Sequence, residues 1–523
     1  MKKVGQEWTL PIPVGGLDAK SALSDMPEIN AVTMDNWIPG TDSIILRRGS
    51  LNHATGMNSA VESLLPYVPT TGVGQMFAAS GSGGGYGIYD VTSSGVVGAA
   101  VVTGLTNARF QYVQMGTAGG NFLLAMNGAD TPRTYNGTTW ANTTVTGPTV
   151  NNLIWCNSHN KRLWFGEKNS LSAWYLPVNT IGGAATEFPF AGVAKGGGYI
   201  VGMGTWTRDG GSGADDVAVF LTSEGEAILY SGIDPSAAAT WALIGVFEIG
   251  HPIGRRCMIK SGADLIMLTQ DGAVLASKLL GSSRSDETQH LAITAQINPL
   301  FNASVREFGS LNGWEPFMYP RGALLLLNIP QSTTIFHQYV FNFLTGAPCR
   351  FTDLNAVCWG LLNDKPYFGT TDGKVVEFDV GYGDNGADIV GDMTSAFVNC
   401  GYGGIKNFKL VNLVMGSNAA PSVATSLFLD YTTDNSIPTA QSFSNQFARW
   451  GISRWGQSFW GTAFVVFKSW RGARGNGKNV ALRIRVATNS YRPSLLTSRL
   501  IYTKGAGICG LKFPRAVVMP ACR

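Results

Sequence analysis

The sequence predicts an all-β protein in which a β-propeller is inserted into a β-sandwich-like platform. Charged residues make up 14% of the chain and Gly counts 66, a composition typical of short strands separated by turns. A strand–turn–strand pattern recurs through the middle of the chain, and the flanking segments lack it. We therefore expect half of the platform at residues 1–65, the propeller at 66–388, and a basic β domain at 389–523 that completes the platform.

The recurring pattern is an apolar strand, a tight turn that contains Gly, and a second apolar strand. Its clearest copies share Thr-x-acid-Gly, at residues 222–225, 269–272 and 370–373. Gly supplies the positive φ that a hairpin turn requires, so the flanking strands should pair antiparallel. Gly225 and Gly272 are 47 residues apart, which fits a four-stranded blade. About seven units of irregular spacing leave the number of blades open, and a long array of β-sandwiches is the alternative.

The last part of the chain is predicted to form a sandwich with one cationic face. Residues 464–470 and 480–486 have strand patterns, and the second alternates apolar and basic residues. The chain has 38 Lys and Arg and 34 Asp and Glu, yet its last 89 residues hold fourteen of the basic residues and none of the acidic ones. Such segregation of charge indicates a polyanion or an acidic protein partner. A solvated basic face without a partner is the alternative.

Catalytic and metal-binding patterns are missing from the sequence. The five His are dispersed without metal-ligand spacing, and the seven Cys are expected to be buried free thiols. Residues 472–478 have the spacing of a phosphate-binding loop, but Asn479 stands where Ser or Thr belongs and a strand pattern follows, which favours a hairpin turn. Asp271 and Asp372 are candidate carboxylates of a glycosidase, but both occupy predicted hairpin turns, where Asp stabilises the turn itself. We therefore expect a protein that is not an enzyme and has no metal and no cofactor.

Targeting and membrane signals are absent as well. The first ten residues contain two lysines but no apolar core of a signal sequence, and no apolar run of 18 residues occurs. The sequence thus predicts a protein made in the cytoplasm that does not insert into a membrane.

Ordered motifs at both ends of the chain carry a resemblance to a known family. The N-terminal motifs are residues 11–18 with Gly-Gly, 26–30, 34–40 with Asn-Trp, and 45–49 with Arg-Arg-Gly. The C-terminal motifs are a lysine-bearing strand from Gly404, a strand end at 428–431, tryptophans at 450, 455 and 460, a basic strand, and residues 501–505. In this order the motifs resemble the tail nozzle proteins of short-tailed bacteriophages, also called tail tubular protein B or packaged-DNA stabilisation protein.

The resemblance implies a structural protein of the virion tail, assembled in the host cytoplasm. It implies a homohexameric ring below the portal and adaptor rings, contacts with the adaptor ring and with tail fibre or spike proteins, and DNA that passes through the lumen without sequence specificity. In such proteins the two end segments form a platform around the channel and the propeller projects outward. The alternatives are a receptor- or carbohydrate-binding phage propeller and a glycan hydrolase, for which Asp215 and Asp216 would be candidate carboxylates.

The basic residues near both ends are the candidate assembly or DNA-channel residues. Repulsion between the like charges of the acid-free C-terminal segment is only partly screened by salt, so anionic groups should lie against its cations. Acidic protein is expected for most and DNA phosphate for a minority. The arginine pair after residues 44–46 is expected to reach carboxylates of a neighbouring subunit, with a solvent-exposed strand end as the alternative. The candidates are Arg47, Arg48, Arg471, Arg474, Lys478, Arg483 and Arg485.

Overall fold

The computed structural model describes residues 5–83, 85–207, 216–279, 292–433, 438–443 and 464–505. These residues form an all-β protein, as predicted. In the described part of the chain the α-helices are α1 (Ala276–Leu279) and α2 (Asn298–Phe308), and both lie between strands of the propeller. Asp215 and the tryptophans at 450, 455 and 460 lie outside the described residues.

Six strands precede the first blade. They are β1 (Gln6–Leu10), β2 (Gly16–Leu17), β3 (Asn30–Asp35), β4 (Trp37–Pro39), β5 (Ile44–Leu46) and β6 (Ser50–Thr55).

The next 29 strands of the described chain form the propeller. Blade 1 contains β7 (Val61–Tyr67), β8 (Gln75–Ser80), β9 (Tyr86–Asp90) and β11 (Val102–Leu105), with β10 (Gly95–Val96) between them in sequence. Blade 2 contains β12 (Gln111–Thr117), β13 (Gly120–Met126), β14 (Arg133–Tyr135) and β15 (Trp140–Asn142). Blade 3 contains β17 (Leu153–His159), β18 (Arg162–Glu167), β19 (Ser172–Tyr175) and β21 (Thr186–Pro189), and the short strands β16 (Val145–Thr146) and β20 (Gly183–Ala184) pair beside it.

The remaining blades follow in sequence order. Blade 4 contains β22 (Ile200–Thr207), β23 (Asp216–Thr222), β24 (Glu226–Gly232) and β25 (Trp241–Glu248). Blade 5 contains β26 (Met258–Ser261), β27 (Asp264–Thr269) and β28 (Gly272–Leu275). Blade 6 contains β29 (Glu315–Tyr319), β30 (Leu324–Pro330), β31 (Phe336–Asn342) and β32 (Pro348–Phe351). Blade 7 contains β33 (Cys358–Leu362), β34 (Lys365–Gly369) and β35 (Val375–Phe378).

These sheets close into a ring of seven blades within the described residues. The first strand of each blade contacts the first strand of the next, and β33 of blade 7 contacts β7 of blade 1. Blade 7 is completed by β6, which pairs antiparallel with β35 and places Ser50 opposite Phe378. Residues 50–65, which the sequence analysis assigns to the platform, therefore contribute strands to blades 7 and 1. The strand that completes the last blade thus comes from the segment before the first blade, so contacts between the two ends of the propeller hold the ring closed.

The Thr-x-acid-Gly turns occupy equivalent places in three blades. Each joins the second strand to the third, in blades 4, 5 and 7. Their glycines have φ values of 83° at Gly225, 135° at Gly272 and 77° at Gly373. The predicted positive φ and antiparallel pairing are thus confirmed, and Asp271 and Asp372 lie in the turns as expected.

The platform is built from both ends of the chain. Its C-terminal strands are β36 (Ile389–Ser395), β37 (Lys406–Ser417), β38 (Ser422–Leu429), β39 (Gln441–Ser442), β40 (Val465–Gly477), β41 (Val480–Thr488) and β42 (Ser494–Lys504). One sheet has the order β4-β5-β42-β37-β40, and β1 also pairs with β42. The second runs β3-β36-β41-β38-β39 and continues through β3 into β32 of blade 6. Buried apolar residues of both sheets, such as Met415 and Ile484, belong to one core.

The glycine-rich segment at residues 472–478 lies in the platform. It forms the end of β40 and the connection to β41, and these two strands belong to different sheets. The Asp430 carboxylate accepts hydrogen bonds from the backbone N–H groups of Lys478 and Asn479 at 2.7 and 2.9 Å. The expected hairpin is therefore wrong in detail, because the turn passes the chain from one sheet to the other. The strand predicted after the turn is present.

The described cysteines match the sequence expectation. Five cysteines lie in the described residues and are buried and free, while Cys509 and Cys522 lie outside the described residues. Burial raises the pKa of the Cys257 and Cys400 thiols to about 12, so both remain protonated and unreactive near neutral pH. The five are Cys156, Cys257, Cys349, Cys358 and Cys400.

Candidate assembly surface and axial cavity

Arg47 is an internal residue of the subunit. Its side chain is 0% exposed and forms a two-pronged ion pair with Asp384, at 3.0 and 2.6 Å. Its Nε donates to Asn36 Oδ1 at 2.8 Å and an Nη donates to the carbonyl oxygen of Thr352 at 3.2 Å. The structure therefore corrects the prediction that Arg47 reaches a neighbouring subunit. The carboxylate it binds lies more than 300 residues away in the same chain, a relation that the local sequence does not reveal.

Arg471 also binds partners within its own subunit. It is buried on β40, donates to the carbonyl oxygens of Val423 and Gln441, and stacks over the Phe443 ring at 4.7 Å. Burial lowers its pKa. Arg471 thus joins the two platform sheets and is not available to an outside partner. Arg48, in contrast, is half-buried at the surface.

The basic strand β41 carries Arg483 and Arg485 on one face of the second sheet. Arg483 forms a two-pronged ion pair with Asp392 on β36, at 2.9 and 2.6 Å. Across the sheet, Asp35 lies directly opposite Asp392 and is paired in the same way with Arg350 of blade 6. The acidic and basic side chains on neighbouring strands of this sheet therefore neutralise one another. The counter-charge expected from a partner is supplied to Arg483 by its own subunit.

This pairing predicts different effects of charge reversal at the two arginines. Arg483→Glu should lower the free energy of unfolding by about 2 kcal/mol or more, because it places a carboxylate against Asp392 and removes two charge-assisted hydrogen bonds. Arg485→Glu should cost less, because among the described residues Arg485 forms no ion pair or side-chain hydrogen bond that the substitution would remove, although Asp392 lies opposite Arg485 in the strand register. Urea denaturation of both variants checks the difference. Equal losses would contradict it.

The exposed cations lie on and beside the long strand β40. Arg474 and Lys478 are both exposed. Alternate residues of β40 point away from the core, and among them Val466 and Trp470 are 43% and 51% exposed, with Lys468 between them. We call this surface the β40 face and define it by the residues that follow. They are Val466, Lys468, Trp470 and Arg474 of β40 and Leu410 of β37.

The protein has a second candidate site that its sequence does not predict, a cavity on the propeller axis. It has a volume of about 410 Å³ and lies where the first strands of the blades begin. All seven described blades contribute to its wall, through Glu62, Arg109, Ile154, Tyr199, Arg255, Glu315 and Val357 in blade order. No motif marks these residues, because each lies at the start of a different blade. The signal that could have found them is the Arg-Arg pair at 255–256 directly before a strand.

Arg256 reaches across the propeller axis. It precedes the first strand of blade 5, yet it donates to the Glu62 carbonyl oxygen at 3.0 Å and to Ser63 Oγ at 2.6 Å in blade 1, and to the Phe110 carbonyl oxygen at 2.9 Å before blade 2. It also pairs with Glu315 of blade 6 at 2.7 Å. Burial raises the pKa of Glu315, and the Arg256 charge opposes that rise. Arg256 therefore crosses the central channel and ties opposite blades together.

A second cavity of about 700 Å³ is lined by the first strands of blades 2 to 7 and shares Arg255, Arg256 and Glu315 with the first. His159 lines it, and burial lowers the pKa of this residue to about 4. In the described residues no group of His, Cys, Asp or Glu is arranged to hold a metal ion. No described helix is long and apolar enough to cross a membrane.

Comparisons with known proteins find distant structural likenesses and no family. No protein-family model matches the chain, and no curated protein matches it. Solved structures do match. Sqt1 of Saccharomyces cerevisiae has 11% identity and a TM-score of 0.38, over 64% of this chain and 100% of that one. The β-propeller domain of Cps50 (Swd1) from Myceliophteria thermophila has 10% identity and a TM-score of 0.38, over 64% and 98%.

An enzyme is also among the similar structures. An exo-β-1,3-galactanase from Phanerochaete chrysosporium has 13% identity and a TM-score of 0.29, over 75% of this chain and 95% of that one. At these identities and TM-scores the likenesses carry no argument about this chain, and no activity is transferred to it. The chain's own strands define the class, an all-β protein built around a propeller.

Proposed function

We propose that this protein is a structural subunit of a ring, the tail nozzle of a short-tailed bacteriophage, and that the ring assembles through the platform. The observation that carries the proposal is the β40 face. It combines exposed apolar side chains with cations on a strand of 13 residues. In the described residues β40 is the outermost strand of its sheet, and a long edge strand with exposed aromatic residues is a site for association.

The partner we propose for the β40 face is another copy of the chain. The last 89 residues contain no acid, while residues 1–434 hold 34 acidic and 24 basic residues. A head-to-tail contact would place the basic platform of one subunit against a more acidic surface of the next, which neutralises the cations and buries the apolar side chains of the β40 face. Repeated by rotation, such a contact closes a ring.

The propeller channel of the subunit is not the path that we propose for DNA. Arg256 crosses that channel, so double-stranded DNA cannot follow it. Under our proposal DNA passes instead through the space enclosed by several platforms, where exposed cations such as Arg474 and Lys478 face phosphate without sequence specificity. Negative-stain images of the purified protein test the proposal, since a six-fold ring is the expected result and a population of monomers only would refute it.

A substitution on the β40 face gives a sharper test. Trp470→Asp should weaken subunit association by about 2 kcal/mol or more, roughly thirtyfold, because an exposed Trp at an interface centre contributes most of its energy by burial. Sedimentation at several protein concentrations measures the change. Leu344→Asp is the matched control, since Leu344 is 78% exposed in a turn of blade 6. Equal effects of both substitutions would exclude the β40 face as the assembly surface.

A further inference from the structure

We propose that the 410 Å³ axial cavity is a binding site for a small ligand that bears a carboxylate or a phosphate. The proposal rests on three features of the cavity: an excess of positive charge, guanidinium nitrogens without partners, and a wall that combines apolar and polar groups. It does not depend on ring assembly.

The charge of the cavity wall is positive. Arg109, Arg255, Arg256 and Lys168 lie on it, against the carboxylates of Glu62 and Glu315. Arg256 and Glu315 neutralise each other at 2.7 Å, and Arg109 pairs with Glu62 at 3.1 Å. Arg255 and Lys168 form no ion pair among the described residues, so the wall of this half-open cavity carries more cations than its two carboxylates pair with, which favours entry of an anion.

The guanidinium groups retain free donors. Arg109 uses its Nε for Glu62, and Arg255 uses one Nη for the carbonyl oxygen of Asn127 at 3.3 Å. Their other side-chain nitrogens have no hydrogen-bond partner among the described residues. Burial, followed by the charges of Arg109 and Arg256, lowers the pKa of Arg255, as expected for cations held close together. Planar guanidinium groups with free nitrogens bind carboxylate and phosphate in a two-pronged geometry.

The size and the wall of the cavity fit a ligand of sugar size. A volume of about 410 Å³ lies within the range of small-molecule sites. Tyr199 is 41% exposed and, with Ile154, provides an apolar surface. The amide groups of Gln111, Asn169 and Asn312 line the same space. An aromatic ring beside amides and arginines suits an acidic sugar or a sugar phosphate better than a bare ion.

Calorimetry with three probes tests the site on the full chain. The probes are glucuronate, glucose 6-phosphate and the uncharged control glucose. We expect one or both of the charged probes to bind and glucose not to bind. The two charged probes distinguish a carboxylate site from a phosphate site. Failure of both to bind, or equal binding of glucose, would overturn the proposal.

Substitutions then locate the binding. Arg109→Gln together with Arg255→Gln should raise the Kd of the bound probe about tenfold or more, because the two-pronged contacts are lost. Arg321→Gln is the matched control, since Arg321 is exposed and does not line the cavity. Thermal unfolding shows whether the double variant is folded. If it is not, Lys168→Gln replaces it in the binding measurement, because Lys168 is exposed and its substitution should not disturb folding. An unchanged Kd in a folded variant would refute the assignment.

Discussion

Replacing Arg47 by Met should lower the free energy of unfolding by about 3 to 5 kcal/mol, because it leaves Asp384 as an unpaired, mostly buried charge. The Asp384 side chain is only 15% exposed, and it also accepts a hydrogen bond from Ser50 at 2.9 Å. Met fills much of the volume of the lost side chain, so the effect reports the charge and hydrogen bonds more than a cavity. Urea denaturation measures it.

The position of Arg47 gives this prediction a second readout. Its partners come from the N-terminal segment, from the end of blade 6 and from the loop between propeller and platform. Loss of Arg47 should therefore loosen the junction and speed proteolysis near Asp384. Arg48→Met is the control, since Arg48 is half-buried and should change stability by less than about 1 kcal/mol. A stable Arg47→Met variant that fails only in assembly would restore the original interpretation of this arginine pair.

Replacing Arg256 by Met should cost about 3 kcal/mol of stability. Removing one partner of a buried ion pair costs about 3–5 kcal/mol. We expect the low end of that range, because the Arg256 side chain is 26% exposed in the channel, whereas the Glu315 side chain is 6% exposed. The substitution removes the ion-pair partner of the Glu315 carboxylate. It also removes the donor that the acceptor oxygens of blade 1 and of the segment before blade 2 share. Thermal unfolding should show a lower midpoint.

The pH dependence of this variant has a definite sign. Burial already raises the pKa of Glu315 in the folded protein, and removal of the Arg256 charge raises it further. A group with a raised folded pKa favours folding below its unfolded pKa and loses that contribution as the pH rises through the folded value. The deficit of Arg256→Met relative to the native protein should thus be largest at neutral pH and shrink as the pH falls toward the unfolded pKa of glutamate.

A double substitution separates charge from packing. Arg256→Met with Glu315→Leu removes both charges, so much of the lost stability should return. Arg109→Met is the exposed control, because Arg109 keeps 42% side-chain exposure in its pair with Glu62 and should matter little. If the double variant were as unstable as the single one, the stranded carboxylate would not be the cause.

The strand–turn–strand pattern of the propeller could be predicted because it depends on residues that are close together in the sequence. A turn glycine such as Gly225 and the apolar residues beside it determine a hairpin without reference to distant residues. The number of blades and the boundary at residue 65 were not predictable in this way. They depend on β6 pairing with β35, and nothing in the composition of residues 50–55 distinguishes a blade strand from a platform strand.

The candidate site shows the same division between local and long-range information. The exposure of Arg474 and Lys478 agrees with their polar, glycine-rich surroundings. The partners of Arg47 and Arg483 are Asp384 and Asp392, which approach only through long-range strand pairing. Charge counting along the sequence could not reveal that these cations are neutralised within the subunit. The axial cavity was missed for the same reason, since its wall is collected from every described blade.

Closure by β6 also means that the propeller cannot be completed until late in synthesis. Ser50 pairs beside Phe378, and Gln6 beside Tyr502, so the early strands leave the ribosome long before their partners exist. At translation rates of about 5–20 residues per second, β6 waits on the order of 15–65 seconds for β35. During that interval its backbone is an open edge that can pair with a neighbouring nascent chain. Slow translation or a crowded polysome should therefore promote exchange of this strand between copies.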